Sequence, residues 1–262
     1  MLADTFTTVR RSIVAFASMA VSVEPGEVPV FPTLVGTGFV VDQRGLVVTN
    51  RHVVEALESL PNNPRTGGSS ARALVFSDVE KVQGGHTLGV APISIRGWHK
   101  LTTFTSSDPF FGEPTPDVAF VQLNVGGLPA LQLATDEGCW QVGEQIATAG
   151  FPLGTTALVI YETINQVAPI LRSGIIASVF PFPCPKPHGF TIDVMTLGGE
   201  SGSPIFTHDS PAVVGLLHAG FDGTNITLAV PSWLVAKALA DFLKSVELDF
   251  NDVPPFQVAS LK

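Results

Sequence analysis

Cysteine is nearly absent from this chain: its 262 residues contain two, Cys139 and Cys184. That excludes a disulfide-dense scaffold, and two isolated thiols more often stay free in a reducing compartment. Basic residues are scarce too, 14 Lys and Arg against 23 Asp and Glu, for a net charge of −9. No basic cluster interrupts this acidity. Nucleic acid is therefore not an expected partner, because phosphate binding rests on grouped Lys and Arg. Long apolar runs are also missing. The longest candidate, Ile13 to Val23, is laced with Ser18 and Ser22 and stopped by Glu24-Pro25-Gly26, short of the roughly 18 residues a membrane span needs. Arg10-Arg11 precede it as they would in a secretion signal, but Asp4 stands before them and the apolar core is short. A strand is expected here instead, and a cytoplasmic location is favoured. Cys184 and His188 share a proline-rich loop, yet two ligands do not make a zinc site. No metal or cofactor is expected.

What the chain does have is a 45% hydrophobic content, 25 glycines and 21 prolines. That is ample for a core and rich in turns, as in all-β proteins. The length suits one large domain or two small barrels sharing an interface.

Chemistry concentrates in three segments. Leu197-Gly198-Gly199-Glu200-Ser201-Gly202-Ser203-Pro204 sets one serine between glycines after a strand-like run, Phe190 to Met195. A serine hydroxyl needs a base to take its proton and backbone N–H groups to stabilise the oxyanion that forms. Glycines here let the chain turn tightly enough to point such groups into one space. The plain alternative is a Gly/Ser turn. The second segment, Gly36 to Val54, reads as a β-hairpin turning at Asp42 to Gly45 and ending in Thr49-Asn50-Arg51-His52-Val53-Val54. The third opens at Asp117, after Pro114-Thr115-Pro116, and continues as the strand-like Val118 to Leu123. Asp108 and Asp78 compete with Asp117 for the role of a buried carboxylate, but each reads as part of a surface turn. The order His52, Asp117, Ser201 is not that of an α/β-hydrolase, which runs serine, acid, histidine and carries Gly-x-Ser-x-Gly. Position 203 is serine.

Together these segments resemble the chymotrypsin-fold serine proteases, and among them the HtrA/Deg branch, with its Asp-x-x-Gly turn and Thr-Asn-x-His-Val-Val. Further patches carry the resemblance: Gln141 to Gly154, Leu171 to Val179, Asp193 eight residues before the serine, and Leu228-Ala229-Val230-Pro231-Ser232. The resemblance implies an all-β fold of two six-stranded antiparallel β-barrels with a C-terminal α-helix. The first barrel would span 12–135 and carry His52 and Asp117; the second would span 136–231 and carry Ser201. A closing helix would occupy 232–246, with Ser232 as N-cap, an apolar stripe (Leu234, Val235, Ala238, Leu239, Phe242, Leu243, Val246) and an outward Lys237–Asp241 pair. A polar tail, 247–262, would follow, leaving no room for a PDZ domain. Loops at Pro61–Ser70, Val82–Gly89 and Thr102–Pro116 would flank the cleft.

The resemblance also implies roles. Ser201 would be the nucleophile, His52 the base and then the acid, and Asp117 the group orienting His52. The N–H groups of Gly199 and Ser201 would form the oxyanion hole. Ser203 departs from the usual Gly-Asn-Ser-Gly-Gly-Pro, as it does in glutamyl endopeptidases. Glu200 stands where trypsin-type enzymes carry an aspartate that pairs with a new N-terminal ammonium, and Arg11-Ser12-Ile13-Val14 superficially resembles their cleavage site. HtrA-type enzymes have asparagine at the Glu200 position and need no cleavage. The specificity pocket would draw on Met195, Thr196, Leu197, His218, Ala219, Gly220, Thr227 and Leu228. Met195 and Leu228 imply cleavage after small to medium apolar residues. The alternative is glutamyl specificity through His218, although that histidine sits one residue later than the Gly-x-His of such enzymes, and one residue on a strand reverses the face. A latent, peptide-binding relative is the rival from another class. The expected partner is a polypeptide substrate. Homo-oligomerisation is left open by Phe6, since HtrA-type enzymes often trimerise through N-terminal aromatics.

Overall fold

The computed structural model describes residues 1–19, 33–64, 66–80, 86–102, 115–154, 167–221, 223–245 and 254–256. Twelve strands close into two six-stranded antiparallel barrels. The first comprises β1 (Ile13–Ser18), β2 (Thr33–Asp42), β3 (Leu46–Thr49), β4 (Ala71–Glu80), β5 (His86–Lys100) and β6 (Ala119–Leu123), in the order β1-β2-β3-β6-β5-β4. The second comprises β7 (Gln145–Gly150), β8 (Ile170–Phe180), β9 (Gly189–Asp193), β10 (Pro204–Thr207), β11 (Val213–Gly220) and β12 (Ile226–Pro231), in the order β10-β11-β12-β9-β8-β7. No helix of the described residues is long and apolar enough to cross a membrane.

Strand periodicity explains why so few positions are polar. Successive side chains leave a strand on opposite faces, and here both faces are covered. Along β1, Val14 and Phe16 enter a core built from the first barrel, while Ile13, Ala15 and Ala17 enter a core shared by both barrels. In the second barrel, Ile205 and Val214 pack in that barrel's own core, while Phe206 and Val213 face the shared one. Each fully buried phenylalanine or leucine contributes roughly 1.5–3 kcal/mol. Phe76 of the first barrel stacks on Phe151 of the second with ring centroids 5.3 Å apart, so the interface is packed like a core.

Among the described residues three α-helices frame the barrels. The helix α3 (Ser232–Ser245) buries Leu234, Val235, Ala238 and Phe242, and Phe242 stacks on Phe120 at 5.3 Å and on His99 at 4.9 Å. Its Lys237–Asp241 pair faces solvent at 3.3 Å. Ser232 begins the helix, but its hydroxyl donates to the Ala134 carbonyl at 2.5 Å, tying α3 to the inter-barrel connection.

The strand expected from Ile13 forms as β1, and two further helices accompany the first barrel. The helix α1 (Leu2–Val9) precedes β1, with Leu2, Phe6 and Val9 packed on the shared core. Phe6 is thus used within this chain. Thr5 Oγ1 donates to the His208 carbonyl of the second barrel at 2.8 Å. The helix α2 (Arg51–Glu58) follows β3 directly and buries Val53, Val54 and Leu57.

Asp78, expected in a surface turn, lies on β4 and receives Arg10 at 2.8 Å and Arg11 at 3.1 Å. The long strand β5 takes up residues 86–89 of the expected Val82–Gly89 loop. Asp108, Val246, most of the Thr102–Pro116 loop and most of the tail lie outside the described residues.

Candidate active site

His52 occupies the first turn of α2, where the end of β3 delivers it to the cleft. Asp117 stands just ahead of β6, which pairs with β3, so the two residues meet across a strand pair. The His52 Nδ1 atom lies 2.5 Å from Asp117 Oδ2, and the His52 backbone N–H donates to Asp117 Oδ1 at 3.1 Å. Asn50, fully buried, donates its side-chain amide to the Asp117 carbonyl at 2.8 Å. The carboxylate is thus held through both oxygens and its own backbone.

A second imidazole approaches the same group. The Nδ1 atom of His218, on β11, lies 3.3 Å from Asp117 Oδ2. That nitrogen makes no hydrogen bond of good geometry, and its closeness to the carboxylate favours the ionised form. The two rings stand edge to face with centroids 6.3 Å apart. Burial opposes ionisation of Asp117, whose side chain is 6% exposed, but His218 and His52 outweigh it and hold the carboxyl well below the usual range. His218 therefore faces the carboxylate.

The Ser201 loop is fastened from both barrels. On the first-barrel side, Thr37 Oγ1 donates to the Gly199 carbonyl at 2.7 Å, and the Thr37 N–H donates to the Ser201 carbonyl at 2.9 Å. On the second-barrel side, the Gly202 N–H donates to Leu217 and the Leu217 N–H to Ser203, both at 3.0 Å, which lays the loop beside His218. Two glycines are required here. Gly199 and Gly202 have φ of +96° and +88°, and a Cβ would stand 2.3 Å from the Phe151 carbonyl oxygen and 2.0 Å from that of Thr37, respectively. Ser203 fits because its hydroxyl turns back to the Glu200 carbonyl at 2.6 Å, against the bare Cα of Gly150. Among the described hydrogen bonds none uses the N–H of Gly199 or of Ser201, and both are free to receive an acceptor.

Glu200, 1% exposed, points inward. One of its oxygens accepts the Leu197 N–H at 2.7 Å; the other lies 3.2 Å from Arg172 Nε. The same guanidinium donates through Nη1 to the Met195 carbonyl. Burial pushes the Glu200 carboxyl above its ordinary range, against the pull of the Leu197 N–H and of Arg172.

Beside Ser201 opens a pocket of about 160 Å³ lined by Thr196, Leu197, Gly198, Ser201, Leu217, Ala219 and Gly220. No charged side chain is among them. The buried Thr227 supports the wall through its hydroxyl, 2.9 Å from that of Thr196, and donates to the Val194 carbonyl at 2.7 Å. Elsewhere, no three His, Cys, Asp or Glu of the described residues converge as a metal site.

A family profile described as the trypsin-like peptidase domain matches residues 36–216. The chain belongs to that family. This trypsin-like peptidase is a serine endopeptidase by class. A comparison with curated protein sequences finds no match. Among solved structures it is similar to Deg5, at 20% identity over 90% of each chain with a TM-score of 0.53. It is also similar to the HtrA-type protease AlgW with tripeptide, at 16% identity over 94% of this chain and 64% of that one, TM-score 0.56. A serine endoprotease from Yersinia pestis gives 15% identity over 93% and 67%, TM-score 0.55. This chain spans about two thirds of the length of the latter two. At such identities the likeness is one of fold.

The structure of the peptidase sorts the residues expected at the pocket. Thr196, Leu197, Ala219 and Gly220 line it, and Thr227 braces it. Met195 is exposed, and Leu228 pairs with Ala219 without lining the pocket. His218 turns to Asp117. Three residues were not anticipated. Thr37 and Asn50 lie within the Gly36–Val54 segment, Thr37 midway along β2 and Asn50 just past the end of β3, where a polar side chain among apolar neighbours was the available signal. Arg172, which answers what pairs with Glu200, had no local signal at all.

Proposed function

We propose that this peptidase cleaves peptide bonds with Ser201 as nucleophile, His52 as general base and then acid, and Asp117 as the carboxylate that orients His52. The observation that carries this reading is the grip of Asp117 on His52 at two points, 2.5 Å to Nδ1 and 3.1 Å from the backbone N–H. That grip selects the tautomer with the proton on Nδ1 and leaves Nε2 to face the cleft, and the depressed Asp117 pKa keeps a negative charge ready for the imidazolium. No hydrogen bond joins Ser201 Oγ to His52 among those described, a contact that in such sites tightens when substrate binds. The unengaged N–H groups of Gly199 and Ser201 supply the oxyanion donors, each worth about 3–4 kcal/mol in the transition state.

The pocket beside Ser201 receives the side chain preceding the scissile bond. Its modest volume, its uncharged lining and the Thr196–Thr227 wall support small to medium apolar residues there. Glutamyl specificity through His218 has less support, because that ring is not part of the pocket lining and lies against Asp117, 3.3 Å from its Oδ2. Digestion of a peptide library tests both parts. Wild type should cut after Ala, Val or Leu, and Ser201→Ala and His52→Ala should not cut. A dominant preference for Glu would overturn the specificity, and cleavage retained in His52→Ala would overturn the assignment of the base.

A further inference from the structure

A carboxylate between the two oxyanion donors is an electrostatic hazard. Glu200 follows Gly199 and precedes Ser201, and its side chain is 1% exposed. A buried carboxylate without a partner is strongly unfavourable, and removing one member of a buried pair costs far more than replacing both. Among the described residues the charged group at ion-pair distance from Glu200 is Arg172. Arg172 belongs to β8, opposite Thr148 of β7, and reaches the loop only through its side chain. One guanidinium contacts both ends of the segment, Glu200 through Nε and the Met195 carbonyl through Nη1. The Leu197 N–H closes the bracket on the other carboxylate oxygen at 2.7 Å.

We propose that Arg172 is a positioning residue that supplies an internal cation for Glu200 and so holds the segment from Met195 to Ser201 in its oxyanion-binding form. This rests on the reading of Ser201 as the nucleophile. Charge pairing and loop conformation are then one equilibrium: while Arg172 is in place, Glu200 stays folded in and the N–H groups of Gly199 and Ser201 converge. Without it, an ionised Glu200 must leave the interior and take the loop with it. The cation comes from the body of the second barrel, so no new N-terminus is needed. Ile13, which a cut after Ser12 would release, is already built into β1 opposite Phe39. The upward shift of the Glu200 carboxyl fits a group whose burial is only partly offset. It also sets a direction with pH, because loss of the cation should do more harm as pH rises and Glu200 ionises.

The test compares wild type, Arg172→Gln, Glu200→Gln and the double variant in the full chain, by peptide kinetics across pH and by hydrogen exchange of residues 195–203. Arg172→Gln should lower kcat by roughly 100-fold, the scale of a lost oxyanion donor, with KM changed by less than about threefold. Its deficit should deepen as pH rises, and exchange in 195–203 should speed up. Glu200→Gln should cost less than about tenfold, since a partly exposed arginine tolerates its absence. The double variant should recover most of the loss, because no buried charge remains. Should Arg172→Gln not fold, a folded and active double variant carries the same conclusion. Unchanged exchange and kcat in Arg172→Gln, or a double variant no better than Arg172→Gln, overturns the proposal. A wild type that neither cleaves peptide nor reacts with a fluorophosphonate overturns the nucleophile instead, and the exchange comparison still decides the role of Arg172.

Discussion

Thr37, on a strand of the first barrel, donates its hydroxyl to the carbonyl of Gly199 in the second at 2.7 Å. The same hydroxyl accepts the Phe151 N–H at 3.3 Å. The loop that carries the proposed oxyanion donors is thus aimed partly by the other barrel. Thr37→Val keeps the shape and removes both bonds, each worth about 0.5–1.5 kcal/mol. We expect kcat to fall roughly tenfold with little change in KM, and Thr37→Ser to restore it. Steady-state kinetics on a peptide substrate checks both.

Asp117→Asn is expected to leave the fold in place and lower kcat by on the order of 10⁴, because an amide at this position favours the wrong imidazole tautomer. A loss below about tenfold would show that Asp117 does not orient the base.

His218 acts on the same carboxylate, and its effect should appear in acid stability. The folded pKa of Asp117 is depressed from an ordinary 3.8. Its stabilisation is therefore present above that value and is lost as pH falls through the lower folded value. Removing His218 lessens the depression. His218→Phe should have a lower Tm than wild type near neutral pH, and the difference should shrink as pH falls below 3.8. Thermal unfolding from pH 2 to 7 measures it.

The pocket gives a specificity prediction. A Cβ on Gly220 would stand 2.3 Å from Thr196 Oγ1, so Gly220→Ala must intrude on the space beside Ser201. Cleavage after Leu should lose roughly 10-fold or more in kcat/KM relative to cleavage after Ala, a methylene-scale penalty. Equal losses on both substrates would place the pocket elsewhere.

Much of this arrangement was legible in the chain because it is local. Thr49-Asn50-Arg51-His52 joins a strand end to its histidine, and the glycines around Ser201 mark a turn that no other residue could make. Alternating apolar residues announced most strands. The helices α1 and α2 were less visible: each is eight residues long, and the apolar positions of α2 merge with those of β3 just before it. The extent of β5 was hidden by glycine and proline, residues that suggest loops unless tertiary pairing holds them in a strand. What could not be read at all were the side-chain contacts made through strand pairing. Arg172 meets Glu200 only because β8 is held between β7 and β9. The turn of His218 towards Asp117 likewise depends on the register shift in the β11–β12 pairing between Leu217 and Ala219, which no spacing rule for strands contains.

The measurement that bears most directly on the whole account is the site of covalent labelling by a fluorophosphonate, located by mass spectrometry of peptides from the full chain. The account predicts a single adduct on Ser201, abolished in Ser201→Ala and strongly slowed in His52→Ala. An adduct on another residue, or labelling that persists in Ser201→Ala, would contradict it.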